Sequence, residues 1–448
     1  MTMTIHSDPR TEPLNYELYA PELKETITFY GLPHYVTFCT KCGISNQRPN
    51  STAEHKHTID DKKQTIVFDH NGECDACRMA EQKNSSVIDW SERRKELKDL
   101  CDRHRSKDGS YDCLVPGSGG KDSFYQSYML KYEFGMHPLT VTWAPHIYTD
   151  WGWRNFNRWI HSGFDNYLVT PNGLVKRLLT RLALENLFHP FQPFIIGQKS
   201  FAPKIAAQMG IPLIFYGENE AEYGNPIADN TSARRDYSYF SENEPSKIYI
   251  SGTSLENLTR QYGIANNDLA LYTPADPERL ESAKIQVHYL GYYLKWHPQS
   301  AYYFAVEKGG FEASPERTPG TYSKYNSIDD RIDDLHYYTT YIKFGIGRAS
   351  YDASQEVRSG DLTREEAVAL IRRYDGEFPE RFADELMTYL SIPEKQFPIA
   401  SRMFQCPVID RDYFNALANR FRSPHLWIYS NGKWSLRHTV FDAAKDSK

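Results

Sequence analysis

The stretch Pro116-Gly-Ser-Gly-Gly-Lys-Asp-Ser123 decides the fold class of this 448-residue chain. It follows the apolar run 111–115 and precedes the run 123–134, whose apolar residues recur at helical spacing. A strand, a glycine-rich turn and a helix start form an anion cradle, because backbone N–H groups and the positive end of the helix dipole point into the turn. The stretch therefore predicts a phosphate-binding loop.

Side chains in this loop favour pyrophosphate over a neutral ligand. Ser118 and Ser123 offer hydroxyl groups, and Lys121 offers a positive charge. Glycines at 117, 119 and 120 are expected to take positive φ angles that aim consecutive N–H groups inward. The spacing G-x-x-x-x-G-K-[ST] of the Walker loop is absent. A glycine-rich turn without a ligand is the alternative interpretation.

Strand-like and helix-like segments alternate after the loop. Strands are predicted at 139–143, 167–169 and 213–216, and helices at 151–160, 174–187 and 201–209. This alternation predicts an α/β fold with a parallel sheet, in which ligands bind beyond the carboxyl ends of the strands. The predicted ATP-contacting residues are therefore Pro116, Gly117, Ser118, Gly119, Gly120, Lys121, Asp122, Ser123, Thr142 and Gly217.

Acidic residues follow the strand 213–216, in the sequence Gly217-Glu-Asn-Glu-Ala-Glu222. Carboxylates beside a triphosphate are suited to hold Mg²⁺, which prefers hard oxygen ligands. The predicted magnesium ligands are Asp122, Glu218 and Glu222, with Asn219 beside them. A solvated acidic turn is the alternative.

Four of the seven cysteines form two C-x-x-C pairs, Cys39-Thr-Lys-Cys42 and Cys74-Asp-Ala-Cys77. Two such pairs about thirty residues apart, flanked by turn-forming glycines, indicate a tetrahedral zinc site. Four thiolates leave no open coordination position, so we expect the zinc to be structural. Redox or sulfur-relay cysteines and unligated thiols are the alternatives.

Composition narrows the functional class. The net charge of −6 and the isoelectric point near 6.2 argue against a large nucleic-acid surface. No apolar run reaches the roughly 18 residues of a membrane span, and residues 1–13 lack the apolar core of a signal peptide. We expect a cytoplasmic protein that neither spans a membrane nor binds nucleic acid.

Several motifs together resemble the N-acetyl sugar amidotransferases of bacterial surface-polysaccharide and nonulosonic-acid pathways, over about residues 35–379. They are the two C-x-x-C pairs, Ser118-Gly-Gly-Lys-Asp-Ser123, Tyr216-Gly-Glu-Asn219, Glu222-Tyr-Gly224 and Thr318-Pro-Gly-Thr-Tyr-Ser-Lys-Tyr-Asn-Ser-Ile-Asp-Asp330. The loop alone resembles the PP-loop of the ATP pyrophosphatases, which implies a HUP-like (adenine nucleotide alpha hydrolase-like) core.

This resemblance implies a reaction and its partners. ATP would activate the N-acetyl group of a nucleotide-linked sugar acid or nonulosonic acid, releasing AMP and pyrophosphate, and ammonia would convert the adenylylated imidate into an acetamidino group. The chain has no glutaminase signature. Ammonia would therefore come from a separate HisH-like glutaminase with a HisF-like ammonia-channelling subunit. Lys121, Asp122 and Ser118 are the implied catalytic residues, and ATP, Mg²⁺ and structural Zn²⁺ the implied cofactors.

Residues 337–358 are predicted to form one long helix that carries Gly345 and Gly347. Arg348, Asp352 and Glu356 would share one face of it, either as a surface ion-pair ladder or as a pocket lining. The resemblance favours the pocket. The predicted substrate-binding residues are Asn219, Lys324, Lys343, Arg348 and Asp352. The acids at 329, 330, 333 and 334 are predicted to mark a helix start, and a bound cation is the alternative.

Four units are predicted along the chain. They are an N-terminal arm (1–33), a zinc-knuckle module (34–90), a PP-loop ATP-binding domain (91–266) and a mostly helical substrate or partner domain (267–448). The last unit ends in a β-hairpin, 427–436, around Asn431-Gly432. Two other functions stay open: a tRNA-modifying PP-loop enzyme of the thiolation or lysidine type, and a non-catalytic nucleotide-binding protein.

Overall fold

The fold is built around a central six-stranded sheet. The computed structural model describes residues 5–217, 220–226 and 232–446. The strands are β1 (Cys113–Pro116), β2 (Pro138–Trp143), β3 (Asp165–Val169), β4 (Leu213–Tyr216), β5 (Arg234–Arg235), β6 (Tyr249–Ile250), β7 (Thr253–Ser254), β8 (Gln286–Tyr289), β9 (Trp427–Ser430) and β10 (Lys433–Leu436). Six of them form the sheet, in the order β3-β2-β1-β4-β8-β5. All pair in parallel except β5, at one edge. The predicted α/β class is confirmed.

The described part of the chain contains seventeen α-helices. They are α1 (Asp75–Asn84), α2 (Trp90–His104), α3 (Lys121–Tyr128), α4 (Asp150–His161), α5 (Gly173–Leu187), α6 (Gln192–Met209), α7 (Leu255–Arg260), α8 (Asn266–Leu269), α9 (Pro277–Ser282), α10 (Leu290–Tyr293), α11 (Pro298–Gly309), α12 (Arg331–Phe344), α13 (Arg348–Ser359), α14 (Arg364–Tyr374), α15 (Ala383–Leu390), α16 (Arg411–Arg420) and α17 (Val440–Asp446). No described helix is both long and apolar enough to cross a bilayer.

Strand β1 lies at the middle of the sheet, where the direction of strand succession reverses. Its residue Leu114 faces Leu139 of β2 on one side and Ile214 of β4 on the other, and all three side chains are fully buried. From β1 the chain proceeds to β2 and β3 in one direction, and β4 and β8 lie in the other. Such a reversal opens a crevice at the carboxyl ends of the two central strands, so the loop after β1 lies at the expected ligand position.

The cysteine-containing segment and the C-terminal region share one hydrophobic core. The four cysteines at 39, 42, 74 and 77 belong to the same buried cluster as Leu335, Leu390, Phe414 and Trp427. The predicted hairpin forms from β9 and β10, which pair antiparallel around Asn431 and Gly432. Apart from this hairpin, the C-terminal region is mostly helical, as predicted.

The prediction of a single helix over residues 337–358 is wrong. Helix α12 ends at Phe344 because Gly345 takes the left-handed conformation at φ +67°, which stops the helix. Helix α13 begins at Arg348, after Gly347. A Cβ at Gly347 would lie 2.6 Å from Oδ1 of Asp375, so this glycine permits a close approach between two segments.

Two other predicted helices have different bounds. The helix predicted at 123–134 ends as α3 at Tyr128 and continues through a π-helical turn, Met129–Glu133. The helix predicted at 201–209 begins earlier, at Gln192, and has Pro203 inside it.

Candidate functional site

A cavity of about 340 Å³ opens beyond the carboxyl ends of β1 and β4. The whole loop Pro116-Gly-Ser-Gly-Gly-Lys-Asp-Ser123 lines it, together with Gly217. Residues from elsewhere complete the walls: Gln126, Gly152, Asn155, Phe191, Phe194, Gln198, Tyr216, Phe311, Tyr325, Ser327, Ile328, Asp329 and Asp333. The structure therefore places nine of the ten predicted ATP-contacting residues on one cavity.

Glycines shape the loop in two different ways. Gly119 takes φ +86°, and a Cβ there would lie 2.6 Å from Cα of Phe156 on α4. At Gly117 a Cβ would lie 2.3 Å from Cβ of Ser123, so this glycine allows the loop to fold against α3. The expectation of positive φ at all three glycines is wrong for Gly117 and for Gly120, whose φ is −69°. One left-handed residue is enough because Gly120 already has the extended backbone that precedes a helix.

Helix α3 begins inside the loop, at Lys121. The hydroxyl of Ser123 accepts a hydrogen bond from the N–H of Gly119 (3.2 Å) and donates one to the carbonyl of Gly120 (3.0 Å). These bonds hold the loop over the helix start, where N–H groups of the first turn remain free of helical partners. The arrangement suits an anion at the positive end of the helix dipole.

A cation and an acid lie together at this helix start. The ammonium of Lys121 is buried and forms an ion pair with Oδ2 of Asp122. The other oxygen of Asp122 is also buried, and it has no hydrogen-bond partner among the described residues. Ionised oxygens without partners are costly inside a protein, so Asp122 is suited to bind a cation or a polar ligand.

Two further acids, Asp329 and Asp333, line the cavity. They are distant from the loop in sequence: Asp329 lies just before α12 and Asp333 in its first turn. Thr149 fixes this segment, because its N–H donates to the carbonyl of Asp329 (3.0 Å) and its hydroxyl to that of Ile328 (2.5 Å). Burial raises the pKa of Asp329, although the hydroxyl of Ser118 opposes the effect. Burial also raises the pKa of Asp333, to about 8, against the attraction of Arg348.

The sequence alone does not assign Asp329 and Asp333 to the ATP site. The acid-rich run predicts a helix start, with a bound cation as the alternative, and the helix start is confirmed: Asp330 caps α12, accepting a hydrogen bond from the N–H of Ile332. No local signal tells which of these acids caps the helix and which faces a cavity.

Arg348 and Asp352 lie behind the cavity wall. Arg348 is buried, with Nη1 3.6 Å from Oδ2 of Asp333, and its Nε is 3.8 Å from Oδ2 of Asp352. Asp352 accepts a hydrogen bond from the hydroxyl of Thr321 (2.6 Å). Both residues therefore support the segment that carries Asp329 and Asp333, and neither lines the cavity.

The structure does not bring the other predicted site residues to the cavity. The hydroxyl of Thr142 is buried within the sheet and accepts a hydrogen bond from Asn166 (3.0 Å). Lys324 is exposed and donates to the carbonyl of Pro315 (3.0 Å). Lys343 lines a different cavity.

Glu222 is the one predicted acid of the 217–222 turn that the structure describes. Its carboxylate forms an ion pair with Lys83 at 2.6 Å, and burial raises its pKa against the attraction of that lysine. Glu222 does not line the cavity. Glu218 and Asn219 lie outside the described residues.

The four cysteines form the expected cluster, with all four Sγ atoms within 4.8 Å of one another. The Sγ atoms of Cys39 and Cys77 are 3.7 Å apart, as are those of Cys42 and Cys74. A tetrahedral zinc with Zn–S bonds of about 2.3 Å requires sulfur atoms about 3.8 Å apart. The cluster thus has the dimensions of a zinc site, and the separations are too long for disulfide bonds.

Surrounding groups also suit a zinc–thiolate centre. Nη1 of Arg358 lies 3.6 Å from Sγ of Cys42, and the N–H of Cys74 donates to Sγ of Cys39 at 3.4 Å. Both contacts offset the negative charge that four thiolates carry around a divalent ion. The cluster is buried and has no open position, so it fits a structural site.

Comparison with known proteins relates the C-terminal part of the chain to a described family. Residues 319–440 match the family model of the LPS biosynthesis protein WbpG-like, C-terminal domain. The match supports a polysaccharide-biosynthesis family. No curated protein matches the chain.

The matched segment contributes directly to the cavity. It begins just before the loop that leads into α12, and it includes Tyr325, Asp329 and Asp333. The loop 116–123, which also lines the cavity, lies outside the match. The cavity is therefore lined both by the glycine-rich loop of the α/β sheet and by a segment that matches the family model.

Proposed function

We propose that this chain is an ATP-dependent enzyme of lipopolysaccharide or related surface-polysaccharide synthesis, which converts the N-acetyl group of a sugar into an acetamidino group. One observation carries the proposal: a loop with the geometry of an anion cradle closes the same cavity as a segment that matches a family of LPS biosynthesis. The resemblance of the loop to the PP-loop supports ATP as the source of the anion.

In this proposal the β- and γ-phosphates of ATP lie against the loop, at the start of α3. The N–H groups around Gly119 and the ammonium of Lys121 face them, and the hydroxyl of Ser118 points to the same space as Asp329. In this proposal the α-phosphorus lies deeper in the cavity than the β- and γ-phosphates. The sugar would then lie between the α-phosphate and residues such as Tyr325.

The first chemical step activates an amide, which is a poor electrophile. The carbonyl oxygen of the N-acetyl group attacks the α-phosphorus, and the bond to the bridging oxygen of pyrophosphate breaks. Lys121 and the N–H groups of the loop offset the negative charge that develops on the leaving pyrophosphate. The amide nitrogen then loses its proton to solvent, and the product is an O-adenylyl imidate on the sugar.

The second step replaces oxygen by nitrogen. Ammonia adds to the imidate carbon through its lone pair, the C–O bond to AMP breaks, and loss of a proton leaves the amidine. Water would instead regenerate the amide, so the cavity must exclude water while it admits ammonia. We propose that a separate glutaminase supplies the ammonia.

Magnesium fits the acids of this cavity. We propose Asp122 and Asp329 as its protein ligands, since Mg²⁺ commonly takes one or two carboxylates and completes its coordination with phosphates and water. When bound, the ion would neutralise phosphate charge during transfer. In the described residues these acids do not converge as the four cysteines do, which is consistent with a metal that arrives with the nucleotide.

Phosphorus NMR of the products tests the proposed reaction. The protein is incubated with ATP, Mg²⁺, an ammonium salt and a panel of free and nucleotide-linked N-acetylated sugar acids. We expect AMP and pyrophosphate with one class of sugar, and a loss of about one mass unit from that sugar as C=O becomes C=NH.

Two variants serve as the test and the control in this experiment. Lys121→Ala should lower AMP formation by about 100-fold or more, because the charge on the leaving pyrophosphate loses its partner. Lys95→Ala, at an exposed position of α2, should retain full activity. ADP and phosphate as products would contradict the proposal, and AMP formation that depends on tRNA would favour a tRNA-modifying enzyme.

A further inference from the structure

A second cavity, of about 360 Å³, lies between the segment 48–63, the residues that follow α5, and helices α12 and α13. It is as large as the first cavity and is lined by residues that the proposed reaction does not use. Its size is in the range of sites for small molecules. The first cavity and this one are neighbours, because Phe191 lines the first and its ring stacks on His336 of the second, with centroids 5.3 Å apart.

The charge of the second cavity is predominantly positive. Arg48, Lys63 and Lys343 line it, and Glu54 is the one acid in its lining. The carboxylate of Glu54 is already engaged with Nδ1 of His57, at 3.2 Å. None of the three cations forms an ion pair within 4.0 Å in the described part of the chain. Buried cations normally have such partners, so their absence here favours an anionic ligand.

Polar atoms without partners point to the same conclusion. Arg48 is more than nine-tenths buried, yet its Nη1 has no hydrogen-bond partner among the described residues. The Nδ1 atoms of His189 and His336, whose rings stack at 4.7 Å, are also buried and have no partner among the described residues. Polar atoms left unsatisfied at one cavity are expected when the cavity is built for a polar ligand, and the guanidinium of Arg48 requires one that accepts hydrogen bonds.

Lys343 adds a third observation. Its ammonium donates to the carbonyl of Leu187 at 2.7 Å and lies 4.7 Å from the ring centre of Tyr30. Burial lowers the pKa of Lys343 to about 7, and the charge of Lys63 contributes to the same lowering. A negatively charged group beside this ammonium would stabilise its charged form.

We propose that the second cavity binds a small organic anion through a carboxylate or a phosphate held by Arg48, Lys63 and Lys343. The site is separate from the loop 116–123. This proposal does not depend on the reaction proposed above, because it concerns binding in the absence of ATP.

Binding of two anions and one neutral compound tests the proposal. Glucuronate carries a carboxylate on a sugar ring, glucose is its neutral counterpart, and inorganic phosphate represents the other anion. Isothermal titration of the full chain at millimolar concentrations should show binding of glucuronate, phosphate or both, and no binding of glucose. The anion whose binding depends on Arg48 and Lys63 identifies which of the two acceptor groups the site takes, because phosphate alone could also bind the loop 116–123.

Variants assign the binding to this cavity. Arg48→Gln and Lys63→Gln should each weaken binding by about tenfold or more, because each removes a charge-assisted hydrogen bond. Arg94→Gln, at a partly exposed position where the side chain pairs with Glu133, should leave it unchanged. Lys121→Ala should leave glucuronate binding unchanged, since Lys121 belongs to the first cavity. Lys63 is less buried than Arg48, so Lys63→Gln decides the result if Arg48→Gln fails to fold.

Three results would overturn the proposal. One is the absence of binding for both anions, and another is equal binding of glucose and glucuronate. The third is binding that Lys121→Ala abolishes while Arg48→Gln and Lys63→Gln retain it, which would assign the anion to the loop instead.

Discussion

Gly119 is the residue on which the geometry of the loop depends most. Its left-handed backbone turns the chain from β1 into α3, and the absence of a side chain lets the loop contact the backbone of Phe156. Both properties are specific to glycine. A change at this position therefore affects the shape of the anion cradle and its support on α4.

Gly119→Ala should lower both the melting temperature and the affinity for ATP, the latter by about tenfold or more. The new Cβ would meet Cα of Phe156 at 2.6 Å, so a backbone segment must move in addition to the strain at positive φ. Gly210→Ala is a matched control. Gly210 has a similar φ of +70°, but a Cβ added there would have no neighbouring atom within 4 Å.

The control separates strain from steric conflict. Gly210→Ala should cost about 1 kcal/mol in stability and leave ATP binding intact. Calorimetric titration with ATP and thermal melting of both variants provide the comparison. Equal effects of the two substitutions would show that the contact with Phe156 does not matter for the cradle.

His425 links the C-terminal region to the segment that carries the cysteines. Its Nδ1 is 2.7 Å from the hydroxyl of Ser423, and its Nε2 is 3.1 Å from Oε1 of Gln47. Burial lowers the pKa of His425 to about 4, with smaller contributions from nearby cationic groups. The folded protein thus keeps this ring neutral over a range in which the unfolded chain protonates it.

The stabilising contribution of His425 should be lost as the pH falls from about 6.5 to about 4, because the unfolded chain binds a proton that the folded chain does not. At pH 8, His425→Gln should destabilise the protein by about 1–3 kcal/mol through lost hydrogen bonds. This difference should shrink by about 1.4 kcal/mol per pH unit below 6.5. Urea unfolding midpoints at several pH values measure it, and a difference that stays constant with pH would contradict the assignment.

At the scale of elements, the two C-x-x-C turns are the clearest case of a local pattern that predicts structure. The predicted cluster of Cys39, Cys42, Cys74 and Cys77 is confirmed, and the zinc it would hold stays a prediction. Turn-forming Gly43 and Gly72 both take positive φ beside the pairs, as that pattern requires.

Cys39→Ser should release bound zinc and lower the melting temperature by about 10 °C or more, because metal binding at such turns is coupled to folding. Metal analysis of the purified protein and thermal melting are the measurements. Cys406→Ser is the control, since Cys406 lies outside the cluster and should leave the zinc content unchanged. A parent protein that contains no zinc and melts like Cys39→Ser would refute a structural metal.

Short-range patterns predicted several elements with correct bounds. The apolar run 213–216 is β4, and the sequence around Asn431 and Gly432 forms the hairpin with both residues at positive φ. The prediction of one helix across Gly345 is wrong for a physical reason. Helical periodicity continues through 337–358, whereas the left-handed backbone of Gly345 ends α12 and Gly347 permits the close approach of Asp375 before α13 begins.

At the scale of the whole molecule, the cavity joins segments that are far apart in sequence. The loop 116–123 was predictable because a strand, a turn and a helix start are adjacent in the chain. Thr149 holds the segment that carries Asp329 and Asp333 at the same cavity by donating hydrogen bonds to the carbonyls of Asp329 and Ile328, and no local pattern indicates such a contact. For the same reason the sequence could not show that Lys343 lines a separate cavity or that Glu222 pairs with Lys83.

In the proposed reaction, one cavity transfers an adenylyl group from ATP to the oxygen of a sugar N-acetyl group. Oxygen-18 placed in the amide carbonyl of the accepted sugar follows this transfer, because phosphorus NMR resolves the small shift that the heavier isotope causes in AMP. We expect one labelled oxygen in the phosphate of each AMP and none in pyrophosphate. Unlabelled AMP, or label retained on the sugar after turnover, would rule out the proposed transfer.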